Sequence, residues 1–347
     1  MTGRGIVVHA GDPDRDRKLA VQMFARYLNP RYDEARFDWV YRDNPHGRGR
    51  LWMASDATSG EVVGIAGAFP RRMSVFGRTQ MAWLLGDFCV SDAYRSVGPA
   101  LALQRACLAE VRAGTIPFCY DFPSTGMMAV YRRLGVDPLG HLVRLSKVLR
   151  LDTRVRDLVA VRPIASGLSA IVNLFMAPGA FRRRRERGIE ISLCPGPLGS
   201  EFNELNRRVA DPRVVMVERS AEYLSWRYLA NPVHRYQVLV ARRAGRLVGY
   251  AVFRHDNRTM TLVDLCADAP DATILDLVHG AVAEAWVRGL EALDISLLES
   301  SNLIDGLQKL GFRRREGLPV ALYAAEEARA QIGDQANWFL LDGDRDS

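Results

Sequence analysis

The chain has 347 residues, and with 48% hydrophobic and 25% charged residues its composition is that of a globular protein long enough for two domains. No apolar run approaches the roughly 18 residues of a membrane helix, and no secretory-type apolar segment opens the chain. The five cysteines and six histidines follow no metal-ligand spacing, so we expect reduced thiols, no metal and a cytoplasmic protein. The net charge of +7 favours an anionic ligand, whereas no aromatic–basic pattern indicates nucleic acid.

The first predicted elements surround a tryptophan-containing segment. The pattern Trp-x-Tyr-x-x-Asn-Pro spans residues 39–45, and two apolar strands follow it around a turn at Gly60. The remaining elements of this half follow in chain order: a buried strand at 84–90, a helix at 100–111, a strand at 116–120, and a helix with the apolar stripe Met127, Tyr131 and Leu134.

The same order of elements returns in the second half. The Trp-x-Tyr-x-x-Asn-Pro pattern recurs at 226–232, 187 residues later, and is again followed by a strand pair. Asp87-Phe88-Cys89 then matches Asp264-Leu265-Cys266, and Leu134-Gly135 matches Leu310-Gly311. The offset falls from 187 to 176 along the chain, as expected for a duplication with shortened loops. The ordered matches therefore predict two copies of one fold.

This repeat predicts an α/β (α+β) protein of two tandem domains, each a mixed, mostly antiparallel sheet flanked by helices. The expected organisation is an N-terminal domain over 1–150, a linker with a helix over 151–190, a C-terminal domain over 191–330 and a tail over 331–347. The arginine-rich end of the linker, 182–187, is either a solvated end or a surface for anionic lipid or a carrier protein. We expect the tail to dock one strand and then fray.

The loop Arg95-Ser96-Val97-Gly98-Pro99-Ala100, between the strand at 84–90 and the next helix, has the properties of an anion site. A helix N-terminus presents unpaired N–H groups and the positive end of the helix dipole. Gly98 has no Cβ to block a phosphate, and Arg95 adds a guanidinium. In this setting, Arg-x-x-Gly-x-Ala resembles the pyrophosphate loop of the GNAT superfamily of acyl-CoA-dependent N-acyltransferases.

The resemblance implies that acetyl-CoA or another acyl-CoA is the cofactor, without a metal. The second copy provides a comparison, because Ala272 and Leu275 occupy the places of Arg95 and Gly98. Asp268 also lies in this stretch, and its carboxylate would repel a pyrophosphate. We therefore expect one active site, in the N-terminal copy, beside a degenerate C-terminal copy.

Tyr131 is the first candidate catalytic residue. The segment Tyr-Arg-Arg-Leu-Gly at 131–135 resembles the superfamily's Tyr-x-x-x-Gly-Phe, whose tyrosine commonly protonates the departing thiolate. Its place on an apolar stripe is equally typical of a core residue. Leu307 is its counterpart in the second copy, so the hydroxyl is absent where the cofactor loop is absent.

Asp87 is the second candidate, as the base that takes the proton of the amine. Its counterpart Asp264 lies in the degenerate copy, which equally favours a structural role. Asp121, at the end of the next strand, is a reserve candidate for contact with the substrate. Trp39 is a candidate wall of the acceptor pocket, although its repeated motif is mainly structural by our interpretation.

The resemblance also implies roles for the backbone of Phe88, Cys89 and Val90. In the superfamily, this strand pairs with the pantetheine arm and donates an N–H to the thioester oxygen. Ser124 stands where the family often has Asn, which makes it a weaker candidate for cofactor contact. The Cys89 side chain is expected in the core rather than as a nucleophile.

The predicted function is direct transfer of an acyl group, most simply acetyl, from CoA to the primary amine of a small molecule. Three alternatives stay open. In the first alternative, the acyl donor is an acyl carrier protein instead of CoA. In the second, the chain is an aminoacyl-tRNA-dependent ligase. In the third, it is a non-catalytic CoA-binding scaffold. A ligase of that kind generally lacks the Arg-x-x-Gly-x-Ala loop. The chain is expected to be a monomer or a homodimer.

Overall fold

A computed structural model of the chain describes residues 5–95, 97–150, 188–268 and 270–345. The predicted linker helix, the arginine-rich run at 182–187 and Ser96 lie outside the described residues. The strands are β1 Ile6–Gly11, β2 Arg50–Asp56, β3 Val62–Val75, β4 Arg78–Val90, β5 Phe118–Asp121, β6 Pro138–Val148, β7 Ile189–Leu193, β8 Val215–Val217, β9 Gln237–Arg243, β10 Arg246–His255, β11 Thr259–Ala267, β12 Ala292–Leu298 and β13 Arg313–Ala324.

The predicted helices at 100–111 and around Tyr131, and their counterparts in the second half, are present. The α-helices are α1 Arg17–Tyr27, α2 Glu34–Tyr41, α3 Val97–Arg112, α4 Thr125–Arg133, α5 Ser200–Val209, α6 Ala221–Leu224, α7 Pro270–Val287, α8 Leu303–Lys309 and α9 Glu326–Ile332. No helix in the described ranges is both long enough and apolar enough to cross a membrane.

Corresponding helices in the two halves both begin with a side-chain N-cap. The Asp33 side chain accepts from the N–H of Arg36 at the start of α2, and Ser220 accepts from the N–H of Tyr223 at the start of α6. Asp and Ser are favoured caps because their oxygens satisfy an N–H that has no partner within the helix. The two caps are 187 residues apart, the same offset as the repeated tryptophan pattern.

The two halves share one sheet rather than forming the two separate sheets that the sequence predicts. Its order is β1-β2-β3-β4-β5-β13-β6-β12-β11-β10-β9-β7, and β8 pairs with β3. Pairing is antiparallel except for β4 with β5 and β11 with β12. The mixed, mostly antiparallel sheet flanked by helices is thereby confirmed.

The order of strands is symmetric about the centre of the sheet. If β1–β6 are matched with β7 and β9–β13, each half contributes its last strand to the other half. β13 pairs with β5 through Ala321–Asp121, and β6 pairs with β12 along Leu142–Val148. The halves are therefore joined by backbone hydrogen bonds, and the domain boundaries at 150 and 191 remain a prediction.

The repeated tryptophans lie where the two halves meet. Trp39 Nε1 donates to the carbonyl of Trp226 at 2.9 Å, and Trp226 Nε1 donates to the carbonyl of Trp39 at 2.9 Å. Their rings stack with centroids 5.0 Å apart. Such reciprocity is typical of an isologous contact, in which the same surface on both sides is self-complementary.

The core consists of three apolar clusters. One covers a face of the sheet across both halves, beneath α1, α2, α5 and α6. The other two lie beneath α3 with α4 and beneath α7 with α8. Leu84 belongs to the first cluster and Leu85 to that beneath α3, as expected for alternating faces of a strand.

Candidate active site

The candidate site begins where β4 and β5 separate. The parallel pair has only two register positions, Trp83 with Cys119 and Leu84 with Tyr120. β4 continues to Val90 along β3, while β5 ends at Asp121. The edge of β4 from Leu85 to Val90 therefore faces no other strand among the described residues. An extended ligand can pair with this edge as an added strand would.

A bulge lies on the same stretch of β4. Gly86 stands opposite Gly67 and Cys89 opposite Ile65, so Asp87 and Phe88 together oppose one residue of β3. Asp87 has a φ of 45°, which costs a residue with a Cβ roughly 1–2 kcal/mol. Bulges break the ladder and redirect backbone groups, and they are frequent beside active sites.

The Asp87 side chain is buried and held by two donors. Its carboxylate accepts from Tyr32 Oη at 2.5 Å and from Arg36 Nη2 at 3.2 Å. Asp264, its counterpart, similarly accepts from Arg219 Nε at 2.9 Å and from Tyr228 Oη at 3.0 Å. Each aspartate thus ties the helical segment of its own half to the sheet, which supports an anchoring role.

The sequence analysis missed Tyr32 and Arg36. The internal repeat gave no signal for them, because residues 32 and 36 correspond to Arg219 and Tyr223, which are of different types. An arginine reaches the aspartate in both halves, but from different positions along the chain. Only the packing of the helical segment onto the bulge shows that these residues share a role.

The predicted phosphate loop leads directly into a helix. Asp92–Tyr94 form a short 3₁₀ turn after β4, and α3 begins at Val97. Arg95 is 65% exposed and pairs with Asp92 through its Nε at 3.0 Å. Gly98 is exposed in the first turn of α3, whereas Pro99 and Ala100 are buried. The exposed guanidinium and the first turn of a 16-residue helix thus lie beside the open edge of β4.

Tyr131 lies inside the protein. Its side chain is 1% exposed, and its Oη donates to Asp121 Oδ2 at 2.7 Å, with Gln104 Oε1 at 3.3 Å. Burial, and then the charge of Asp121, raise the pKa of Tyr131 well above its usual value. The phenol is therefore protonated at neutral pH, as an acid must be. The structure brings Tyr131 and Asp121 together at the end of β5, on the cluster beneath α3.

The side chains of three other candidates, Ser124, Cys89 and Trp39, have surroundings that indicate structural roles. Ser124 is the N-cap of α4, where its Oγ accepts from the N–H of Met127. Burial raises the pKa of Cys89 to about 12, so its thiol is not ionised at neutral pH. Trp39 is occupied by Trp226 on one side and by the Arg227 guanidinium, 5.4 Å from its ring centroid. No contact among the described residues supports Trp39 as a wall of the acceptor pocket, and that role stays a prediction.

The corresponding gap in the second half is filled by the end of the chain. The N–H of Leu298 on β12 bonds to the carbonyl of Leu340 at 3.2 Å, and Leu341 forms a bridge to Leu297. Further on, Asp344 is 2% exposed and bonds to Arg219 at 3.0 Å. The prediction that the tail frays is therefore wrong for the residues up to Arg345, because this buried ion pair fixes the tail to the second half.

Comparison with known proteins was made for both the sequence and the fold. Residues 16–139 match the family model of the acetyltransferase (GNAT) domain, a range that contains the bulge, the loop and Tyr131. The comparison with curated protein sequences gives no match. Residues 16–139 are therefore similar to a GNAT acetyltransferase domain.

Three solved structures share the fold. A probable N-acyltransferase from Enterococcus faecalis has a TM-score of 0.67 and 12% identity, covering 93% of this chain and 73% of the other. A GCN5-related N-acetyltransferase from Anabaena variabilis has a TM-score of 0.65 and 12% identity, covering 92% and 73%. The N-myristoyltransferase of Saccharomyces cerevisiae, solved with myristoyl-CoA, has a TM-score of 0.56 and 12% identity, covering 92% and 82%.

Proposed function

We propose that the protein transfers an acyl group from an acyl-CoA to a primary amine at a single site, between β4 and β5. The observation that carries this proposal is the contrast between the two gaps in the sheet. In the first half, the open edge of β4 leads into a loop with Arg95 and Gly98. In the second half, the tail lies along β12 and the loop has neither residue. This contrast supports one active copy beside a degenerate one.

In this proposal the pantetheine arm pairs with β4 at Phe88, Cys89 and Val90, and the pyrophosphate binds the loop 95–100. A backbone N–H at the bulge donates to the thioester oxygen, where negative charge grows as the amine attacks. Such a donor lowers the barrier by roughly 3–4 kcal/mol when it is well placed. The positive φ at Asp87 supports this role, since it turns the strand out of its regular ladder.

Three proton transfers complete the reaction. The amine loses its proton before it attacks the carbonyl carbon, because an alkylammonium ion has no lone pair. Asp87 is engaged by Tyr32 and Arg36, which weakens it as a base, so water is the better acceptor. The C–S bond then breaks, Tyr131 gives its proton to the thiolate sulphur, and the new amide nitrogen gives up its remaining extra proton, through water, to the Tyr131 phenolate. For this step the hydroxyl exchanges Asp121 for the sulphur as its partner.

Binding of the cofactor is the first test. Isothermal titration with acetyl-CoA, octanoyl-CoA and myristoyl-CoA would cover the range of acyl lengths, the last because one structural neighbour binds it. Gly98→Glu places a carboxylate in the first turn of α3, and we expect at least a 100-fold loss of affinity. Ala272→Glu, at an exposed position in the first turn of α7, is the matched control and should bind as the parent does.

Turnover is the second test. Release of the free CoA thiol would be followed while small amines are supplied with the acyl-CoA that binds best. Turnover that Gly98→Glu lacks and Ala272→Glu retains would support the proposal. Equal binding by all three proteins would place the cofactor elsewhere and refute it.

A further inference from the structure

A second group of buried polar side chains lies at the centre of the molecule, apart from the candidate active site. Its centre is Arg71 on β3, whose side chain is 0% exposed. Arg71 Nη1 donates to the carbonyl of Pro70 at 3.1 Å. Its Nε and Nη2 are buried and have no hydrogen-bond partner among the described residues. These two nitrogens form the edge with which a guanidinium grips an anion bidentately.

Three further buried polar atoms near this arginine also have no hydrogen-bond partner among the described residues. They are Tyr120 Oη from β5, Tyr223 Oη from α6 and His46 Nε2 from the loop before β2. The charge of Arg71 acts on all three groups. Burial raises the pKa of each tyrosine, and the charge of Arg71 opposes that rise. Burial lowers the pKa of His46, and the charge of Arg71 lowers it further. The His46 ring also stacks on that of Tyr223, with centroids 4.5 Å apart.

All these atoms are able to donate a hydrogen. The N–H of Arg72 bonds to His46 Nδ1 at 3.0 Å, so in the neutral ring the proton is on Nε2. Burial, followed by the charges of Arg71 and Arg72, lowers the pKa of His46 to about 3, so the ring is neutral in this site. Two guanidinium N–H groups and one imidazole N–H thus have no acceptor among the described residues, and the hydroxyls of two nearby tyrosines are also unpaired. Buried polar groups in native proteins are nearly always satisfied, which indicates an additional partner here.

The charges around the cluster do not balance either. Buried Arg219 pairs with both Asp264 and Asp344, and the charge of buried Arg227 offsets the second carboxylate. Arg71 is left as one excess positive charge, and no described carboxylate pairs with it. Its guanidinium faces the rings of Trp226 and Tyr223, at 5.6 and 6.0 Å from the centroids. An aromatic face attracts a cation but leaves the N–H edge unsatisfied.

We propose that this cluster binds a compact monoanion, a halide or a small carboxylate, at the junction of the two halves. The anion accepts from the Nε–Nη2 edge of Arg71 and from the hydroxyls and imidazole around it, and it balances the excess charge. The ligand must be small because the Arg71 side chain is fully buried and its guanidinium lies against the rings of Trp226 and Tyr223. A water molecule can satisfy some of these donors, but it carries no charge and leaves that of Arg71 unbalanced.

Thermal unfolding in different sodium salts tests this proposal. Chloride, bromide or formate would replace gluconate at constant ionic strength, gluconate being too large to enter. The melting temperature of the parent protein should rise with the small anions and then saturate, as for any ligand that binds the folded state. Arg71→Met removes the charge with little change in volume and should abolish the rise. In gluconate, its melting temperature should equal or exceed that of the parent, because an uncompensated buried charge has been removed.

Two controls make the result decisive. Arg213→Met removes an exposed arginine that pairs with Asp211, and it should keep the full response. Tyr120→Phe removes one donor but keeps the ring, and it should raise the half-saturating concentration several-fold even if Arg71→Met fails to fold. Crystals grown in bromide should give an anomalous peak at the Nε–Nη2 edge of Arg71. An equal salt response in all variants, or no response and no peak, would overturn the proposal in favour of water alone.

Discussion

The reciprocal contact of Trp39 and Trp226 allows a quantitative test of how the two halves are joined. Each indole N–H donates to the partner's backbone carbonyl, which remains when the partner's side chain is changed. Trp→Phe at either position therefore removes one hydrogen bond and leaves one buried carbonyl unsatisfied, at a cost of about 1–3 kcal/mol. The smaller ring also loses part of the stacking contact.

The two substitutions should be coupled only through the rings. Since each hydrogen bond uses a backbone acceptor, the coupling energy is that of the stacked pair with centroids 5.0 Å apart, about 0.5–1.5 kcal/mol. The reciprocity of the contact predicts similar losses for Trp39→Phe and Trp226→Phe. Equilibrium unfolding in guanidinium chloride, followed by circular dichroism, would give the free energies of unfolding for the double-mutant cycle.

Trp286→Phe is the control, because Trp286 packs against a different apolar cluster. Combined with Trp39→Phe, it should give additive losses to within about 0.5 kcal/mol, as distant sites usually do. If the pair Trp39→Phe and Trp226→Phe is equally additive, or if one single change costs far more than the other, the symmetric junction is refuted.

Three further changes have defined outcomes. The folded-state pKa of His46, about 3, is below its unfolded value of about 6.5, so below pH 6.5 the unfolded chain binds a proton that the folded one does not. The free energy of unfolding should fall by about 1.4 kcal/mol per pH unit from that group on acidification, and His46→Gln should remove this slope in urea titrations at several pH values. Asp87→Asn should cost about 3 kcal/mol or more in urea unfolding, because the Arg36 guanidinium then faces a neutral amide in place of the buried carboxylate. Tyr131→Phe should slow CoA release at least about 100-fold, while titration shows unchanged affinity for acyl-CoA.

Each of these predictions has a matched comparison. His9→Gln changes an exposed histidine and should keep the acid slope, so an equal slope in His46→Gln would contradict the assignment. Asp264→Asn should destabilise as Asp87→Asn does, and a loss below about 1 kcal/mol in both would remove the anchoring role. Full activity of Tyr131→Phe would leave the tyrosine as a core residue that orients Asp121.

The local features of this protein follow from sequence patterns alone. The apolar periodicity of 100–111 and the preceding Arg-x-x-Gly-x-Ala predict a helix with an anion site at its start, and α3 begins within that loop. The repeated tryptophan pattern predicts a duplicated fold because matching residues recur in the same order. Such features depend on residues a few positions apart, which share one helix face or one strand.

The arrangement of distant elements was decided by the tertiary structure. The sequence predicts two sheets, but β6 and β13 each pair with the other half, since a strand edge bonds to any strand of suitable register. The tail was expected to fray, yet Asp344 pairs with Arg219, 125 residues away. The cluster around Arg71 likewise joins side chains from four separate segments. Patterns of neighbouring residues do not predict such long-range contacts, because the burial and the charge balance of a side chain are set only when remote parts of the chain pack together.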